Sequence, residues 1–485
     1  MMPNDSSDYK SKGEQMDTDA DDEYKIRHRF PVIGVEPVMF LYMAAFMTTT
    51  VVEEQFFVYK ACSVNLGYPK NICHHINEQI YKNYSTQVQI EVSKFHQYEN
   101  IASHAVPVIL AFILGSWSDR VGRKLPMLLG LMGCLVYSFM IFINALFETW
   151  PVEMILFTAS FPSALTGSHL TVFMACFTYL SDTTTSEQRT LRTTLLEVAY
   201  LLPMPIGVAF GSYLFNGPLY RSYGGMFLVN SLFLFIAIVY TFFVIPWRTR
   251  DSLEGDYNAC TIKHFSNTLK TLVTKRKEGR RLLLILCLIG LALYTLQRDE
   301  KRMMQLYSQW KFHWNVKQFS SFRTFQSVFF IVGLLIGIPL LQRFLKLRDT
   351  FIMMIGSLSH ITARVIFMVF KEPTWYYIGA VVATFGPVVA PVLRSMTSKL
   401  VPPSERGKAF ALLSVCDTTV PLASGFIFSQ VYIHTISTSF PEAIFLVTAV
   451  SQLMVLLIAI FMNSRLKGRN VAEAKENTEE RAALH

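Results

Sequence analysis

The chain has 485 residues and a net charge of +9, and it is 52% apolar and 14% aromatic but only 16% charged, well below the roughly 25% charge of soluble globular domains. Its apolar residues fall in runs of about 20, the length at which a helix crosses ~30 Å of hydrocarbon, which excludes a single water-soluble core. The basic residues sit in many short stretches between those runs and not in one patch, so membrane topology accounts for the positive balance and no nucleic-acid partner is expected.

In chain order, residues 1–36 are polar and acidic with no apolar stretch and no signal peptide, as expected of a cytosolic tail before an uncleaved first helix. Apolar runs then predict twelve spans, at 37–59, 99–117, 125–146, 152–178, 193–215, 225–246, 282–305, 319–341, 350–370, 375–397, 409–432 and 441–463. The first span closes on Glu53, Glu54 and Gln55, which either line an external mouth or sit at the interface. The 61–98 loop carries Cys62 and Cys73 on either side of Gly67, and the N-glycosylation sequon Asn83-Tyr84-Ser85. A local disulfide is expected if that loop is extracellular or lumenal. Cys134, Cys176, Cys287 and Cys416 lie inside apolar runs and read as small buried hydrophobes.

The longest internal polar stretch, 247–281, is rich in Lys and Arg and separates an N-terminal six-helix bundle, 37–246, from a C-terminal one, 282–463, with a tail at 464–485. Lys and Arg concentrate on the side of that linker, which places both termini in the cytosol and the 61–98 loop outside or in a lumen. The expected fold is thus an all-α membrane protein of two six-helix bundles, with a solute held between them near the midplane.

Between spans two and three stands Gly115-Ser116-Trp117-Ser118-Asp119-Arg120-Val121-Gly122-Arg123-Lys124, which fits the major facilitator signature G-x-x-x-D-x-x-G-R-[RK]. Gly115 and Gly122 permit a tight turn, Asp119 caps a helix or pairs with a base, and Arg123 and Lys124 hold the turn inside and are expected to form ion pairs across the gate. The second half carries only a degraded echo at residues 342–349.

Each charge at a helix centre costs at least ~2.5 kcal/mol, so charges inside spans mark cavities or partners. Glu197 in span five is the candidate for proton exchange. Arg394 in span ten, after Pro387 and Pro391, is the candidate for holding an anionic solute, with Arg364 as a further solute-binding candidate. Gln297-Arg298-Asp299-Glu300-Lys301-Arg302 in span seven cannot all face lipid. Either the span stops near Leu296 or the helix breaks and its outer half lines a wet cavity, the arrangement favoured here, in which Asp299 and Glu300 bind protons or balance the adjacent cations. His104, His169 and His360 are intramembrane, each either titrating or packing, and Asp417 in span eleven faces a cavity or bonds local hydroxyls. No metal site is expected.

Over these residues the chain resembles the proton-coupled folate transporter family of solute carriers, lysosomal and thymic-type relatives included. The resemblance rests on Glu36-Pro37-Val38-Met39-Phe40-Leu41-Tyr42, on Gly115 to Lys124, on Leu195-Leu196-Glu197 after Arg189-Thr190-Leu191-Arg192, on Pro391-Val392-Leu393-Arg394 with Ser398-Lys399-Leu400-Val401, and on Gly425-Phe426-Ile427 through Phe440-Pro441. It implies proton coupling at Glu197 and substrate or proton handling at Arg394. The chain departs from the family in having Gly167-Ser168-His169 where an acid is found in span four, and Gln297 near the span-seven histidine. It has no cysteine between spans seven and eight, so by this comparison Cys62 pairs with Cys73.

The sequence therefore leads to a proton-driven symporter of a small organic anion, folate-like, a muropeptide or related, working by alternating access with the proton gradient in place of any cofactor. Its partners are solute, protons and the lipid bilayer, it is expected to be monomeric, and its membrane is the plasma or the lysosomal one. A facilitative uniporter without proton coupling and a non-transporting receptor are the alternatives. An enzyme is not expected, because the polar segments hold no nucleotide loop, metal-ligand spacing or nucleophile elbow.

Overall fold

The computed structural model describes residues 34–184, 186–247, 280–401 and 406–466. Among these residues the structure is helical, in twelve rods, eight of which contain helices long and apolar enough to cross a membrane. The linker expected at 247–281, apart from its ends, and both tails lie outside the described residues.

We number the rods α1 (Glu36–Lys60), α2 (Lys82–Val121), α3 (Lys124–Leu146), α4 (Phe161–Ala164 and Ser168–Thr183), α5 (Ser186–Leu201 and Pro203–Asn216) and α6 (Tyr223–Val244). The second set is α7 (Arg280–Leu296 and Glu300–Phe312), α8 (Val316–Val332), α9 (Asp349–Val369), α10 (Pro373–Val382 and Val389–Leu400), α11 (Arg406–Thr435) and α12 (Ala443–Arg465). Local chemistry sets several boundaries. Asn315 and Gln318 form a reciprocal capping box at the start of α8, and the Ser222 side chain accepts from the Gly225 N–H at the start of α6.

Apolar side chains point two ways. On α6, Leu228, Leu232, Phe235, Val239 and Phe242 are exposed at helical spacing, a lipid-facing stripe. Phe227, Leu234 and Thr241 are buried on its other face. Glycines let rods approach closely where the backbone needs it. A Cβ on Gly211 of α5 would lie 1.9 Å from the Thr48 carbonyl of α1.

Two expected boundaries are corrected. Span two begins at Lys82 and not at 99, because Val88, Val92 and Phe95 bury one face of a continuous helix whose other residues are too polar for a hydropathy reading. Span seven runs on to Phe312. The chain breaks at a 3₁₀ turn, Gln297–Asp299, and in the far half only Lys301 and Arg302, in its first turn, and Lys311 and Phe312, at its end, keep open surface, in place of an outer half that lines a wet cavity. Met303 to Trp310 are buried all round, wedged between the bundles.

Cys62 and Cys73 form a disulfide. The loop that carries it is pinned to the α3–α4 turn. The Lys60 ammonium donates to the Phe147 and Trp150 carbonyls at 2.6 and 3.0 Å, and Asn65 donates to the Glu153 carboxylate at 2.8 Å. Lys70 and Glu148 pair at 2.5 Å on the surface. The hydrogen bond and charge of Lys70 hold the Glu148 carboxyl below its usual range, a pair too exposed to add much stability. Asn83 of the sequon is exposed in the first turn of α2.

Candidate functional site

The bundles meet chiefly through α2 against α11 and α5 against α8, with the far half of α7 inserted against α1 and α2. At the α2–α11 crossing a Cβ on Gly425 would lie 1.6 Å from the Asn100 amide nitrogen, so only glycine fits there. Among the described residues, hydrogen bonds between bundles gather at this level or towards the disulfide loop. Gln305 donates to the Val51 carbonyl at 2.9 Å, Gln309 to Gln55 at 2.9 Å, Trp310 to Thr86 at 2.9 Å and Gln430 to Gln97 at 3.0 Å.

A charged network stands within this seam. Arg302 of α7 pairs with Glu99 of α2, and its Nε lies 3.6 Å from Glu54 of α1. Glu54 in turn meets His96 Nε2 at 2.7 Å. Glu53 accepts from the Tyr137 hydroxyl at 2.5 Å. Glu54 and Gln55 are buried and Glu53 half-buried between helices, which is neither the external mouth nor the interface expected of them. His96, Glu99 and Arg302 were not singled out as site residues. The i, i+3 spacing of His96 and Glu99 was the available signal, hidden because the expected start of span two fell between them, with His96 left in the loop and Glu99 at the helix end.

On the other side, described polar contacts stay inside one bundle. Gly122, at a φ of 94°, ends α2 in the left-handed region that glycine tolerates. Arg123 then pairs with Asp182 at 2.7 Å, and the Lys124 ammonium donates to the Phe242 carbonyl at 2.6 Å while lying 4.2 Å from the Trp247 ring centre. These contacts tie α3 to α4 and α6. Gly115 and Asp119 fall among positions whose side chains lie outside the described residues. Arg192 and Glu36 clasp α5 to α1 at 2.8 Å.

Between seam and turn, charged groups line a cleft. Arg394 of α10 donates to Asp417 Oδ2 of α11 at 2.6 Å. Asp417 Oδ1 accepts from the Thr295 hydroxyl at 2.9 Å and lies 3.8 Å from the Arg298 guanidinium of α7, which also donates to the Asp417 backbone carbonyl at 3.3 Å. The Arg394 and Arg298 side chains keep 44% and 51% of their surface open. Glu197, on the Ser186–Leu201 half of α5, is exposed towards Arg394, the cation whose field reaches it from the opposite bundle. Lys301 is also exposed beside Arg298 and Arg323. Among the described residues it forms no ion pair.

Arg364 is placed differently from expectation. It is buried against Glu300, with 3.2 Å contacts from Nη2 and Nε, and its Nη1 donates to His360 Nδ1 at 2.9 Å. Glu300 therefore balances Arg364, and neither faces the cleft. Asp299 is buried against Ser424 and the Asn100 amide. His169, two residues after the left-handed Gly167, meets His104 edge-on at 5.8 Å and lies within the field of Arg298. Among the described residues no group of three or more His, Cys, Asp and Glu is arranged for a metal.

Comparison with known proteins identifies this architecture. The Major Facilitator Superfamily model matches residues 101–386 and 303–484. The chain is 26% identical over 434 residues to the chicken (Gallus gallus) lysosomal proton-coupled steroid conjugate and bile acid symporter SLC46A3, covering 84% of this chain and 89% of that one. It is 23% identical over 434 residues to the probable peptidoglycan muropeptide transporter SLC46 of Drosophila melanogaster, covering 83% and 80%. Against the proton-coupled folate transporter of Bos taurus the identity is 24% over 415 residues, covering 83% and 86%. Among solved structures, the human organic anion transporter MFSD10 superposes with a TM-score of 0.60 at 13% identity over 89% of this chain and 100% of that one, a likeness of fold alone. The chain belongs to the Major Facilitator Superfamily, within the solute-carrier family that contains the proton-coupled folate transporter, and it is a multi-pass membrane transporter, not an enzyme.

Proposed function

We propose that this transporter is a proton-coupled symporter of small organic anions that works by alternating access, with both termini in the cytosol. One observation carries the reading: a solvent-open arginine, Arg394, stands between a carboxylate of its own bundle, Asp417, and one of the opposite bundle, Glu197. An arginine stays charged throughout, so the carboxylates are the groups that change state around it. Among the described residues the inter-bundle hydrogen bonds gather on the disulfide-loop side, which supports a carrier open to the cytosol. The relatives named for proton coupling support the driving ion, and those named for steroid conjugates, bile acids, folate and muropeptides support an anionic organic solute.

Glu197 carries the proton in this reading. Glu197→Gln is expected to reduce concentrative uptake about tenfold or more while exchange of solute for solute is retained. Vesicle uptake of folate, taurocholate, estrone sulfate and muramyl dipeptide at about pH 5.5 and about pH 7.5 is the measurement. Equal uptake of every anion at both values would remove proton coupling and leave a facilitative carrier. The orientation has its own check. Glycosidase treatment is expected to shift the mobility of the wild type but not of Asn83→Gln, and an amino-terminal epitope reachable from outside intact cells would reverse the assignment.

A further inference from the structure

Asp417 is one carboxylate serving two guanidinium groups that both open onto the cleft. Its Oδ2 takes Arg394 at 2.6 Å, its Oδ1 lies 3.8 Å from Arg298, and Thr295 donates to Oδ1 at 2.9 Å. Only about a fifth of its own side-chain surface is open, 21%, against 44% and 51% for the arginines. The cations thus face the cleft while the acid sits behind and between them. That is the placement of a built-in counter-ion. It satisfies both arginines with the chemical group that an organic acid would present to them.

We propose that Asp417 is a surrogate for the solute's own carboxylate or sulfate: the solute's anionic group takes its place between Arg394 and Arg298, and a proton on Asp417 accompanies the exchange. This rests on the organic-anion reading above and assigns that site's second cation, Arg298, and its switch. A proton of its own, besides the one that Glu197 carries, arrives from the acidic compartment, binds an Asp417 carboxylate oxygen and leaves with the solute on the other side, where the ionised carboxylate takes back both guanidiniums. Charge balance favours the pairing of events. Two anions between two arginines leave the solute competing with a covalently tethered carboxylate, whereas a neutral Asp417 keeps its Thr295 hydrogen bond and releases the cations.

The groups around Asp417 limit what else can answer for the effect. On α7 they are Thr295 and Arg298, on α10 Arg394, and on α11 itself Cys416. α12 brings no charged side chain before Arg465 at its end. On α2, His104 is turned to the Asn100 carbonyl at 3.1 Å, and its charged neighbours are Glu99, Asp299 and Arg302. Glu197 reaches the assembly only through Arg394.

Obligatory exchange makes one proton bind at Asp417 for each anion, so Asp417 links the affinity to pH with unit slope. Purified full-length protein in nanodiscs, titrated with folate, taurocholate, estrone sulfate and muramyl dipeptide, is expected to bind at least one of these with a Kd that rises about tenfold per pH unit above the site's titration point. In Asp417→Asn that rise is expected to flatten, with tight binding kept at about pH 7.5. Arg298→Gln, at a half-exposed position, is expected to weaken binding about tenfold even in acid. A folded Asp417→Asn that keeps the wild-type slope, or an Arg298→Gln that binds as tightly as wild type in acid, overturns the exchange while leaving proton-coupled transport standing. No binding of any of the four anions by the wild type overturns the organic-anion reading and this proposal with it.

Discussion

Arg364→Leu is expected to lower the unfolding free energy by about 3–5 kcal/mol, the range seen when one partner of a buried ion pair is removed. Glu300 keeps 2% of its surface and is held by both Nη2 and Nε of Arg364 at 3.2 Å. Without the guanidinium its carboxylate has neither water nor a partner of equal geometry, and His360 loses the group that donates to it. Arg323 lies close enough to act on Glu300, which argues for the lower end of the range. The double variant Arg364→Leu with Glu300→Leu is expected to recover most of the loss, since removing both charges abolishes the orphan. Thermal or denaturant unfolding in detergent measures it. A single variant as stable as the wild type would show that the pair is dispensable.

The same residues show what the sequence could and could not carry. Hydropathy runs gave the rods of the bundles, and the crowd of charges at residues 297–302 announced the break in α7, because five charges in a row cannot be buried on one regular helix. What was illegible is partner choice. A charge in a span signals a partner or a cavity, but its helix face and its neighbour depend on packing between residues far apart in sequence. Arg364 was therefore expected at the solute and is found on Glu300, while Arg394 does open to the cleft. For Arg123 and Lys124, the contacts described reach Asp182 and the end of α6, partners that lie 59 and 118 residues away in sequence. Glu99 was lost for a different reason. The hydropathy window put the start of α2 at that very residue, so a carboxylate in the middle of a long helix read as an end.

That carboxylate carries the remaining prediction. Arg302→Gln is expected to shift the transporter towards a state open on the disulfide-loop side, by about tenfold in population or more, each factor of ten corresponding to about 1.4 kcal/mol. Arg302 is the cation from the C-terminal bundle that Glu99 and Glu54 share, and both acids are buried in the closed seam. His96 can offset part of Glu54's charge, but only when protonated. With Arg302 gone, closure keeps two carboxylates from water without their guanidinium, whereas parting the bundles hydrates them, so the loss falls on the closed state alone. The uncharged contacts of the seam, Gln305 to Val51 and Gln309 to Gln55, remain in both variant and wild type and set the resistance to opening. A cysteine at Ser93, buried beneath Met303 in the closed seam, reports the change through its labelling by a membrane-impermeant maleimide. Labelling is expected to rise about tenfold in Arg302→Gln and to fall back when Glu54→Gln and Glu99→Gln are added, because neutral partners have no charge to hydrate. Unchanged labelling in a folded Arg302→Gln would mean that packing alone, at Gly425 against Asn100 and around Tyr307, holds that side shut.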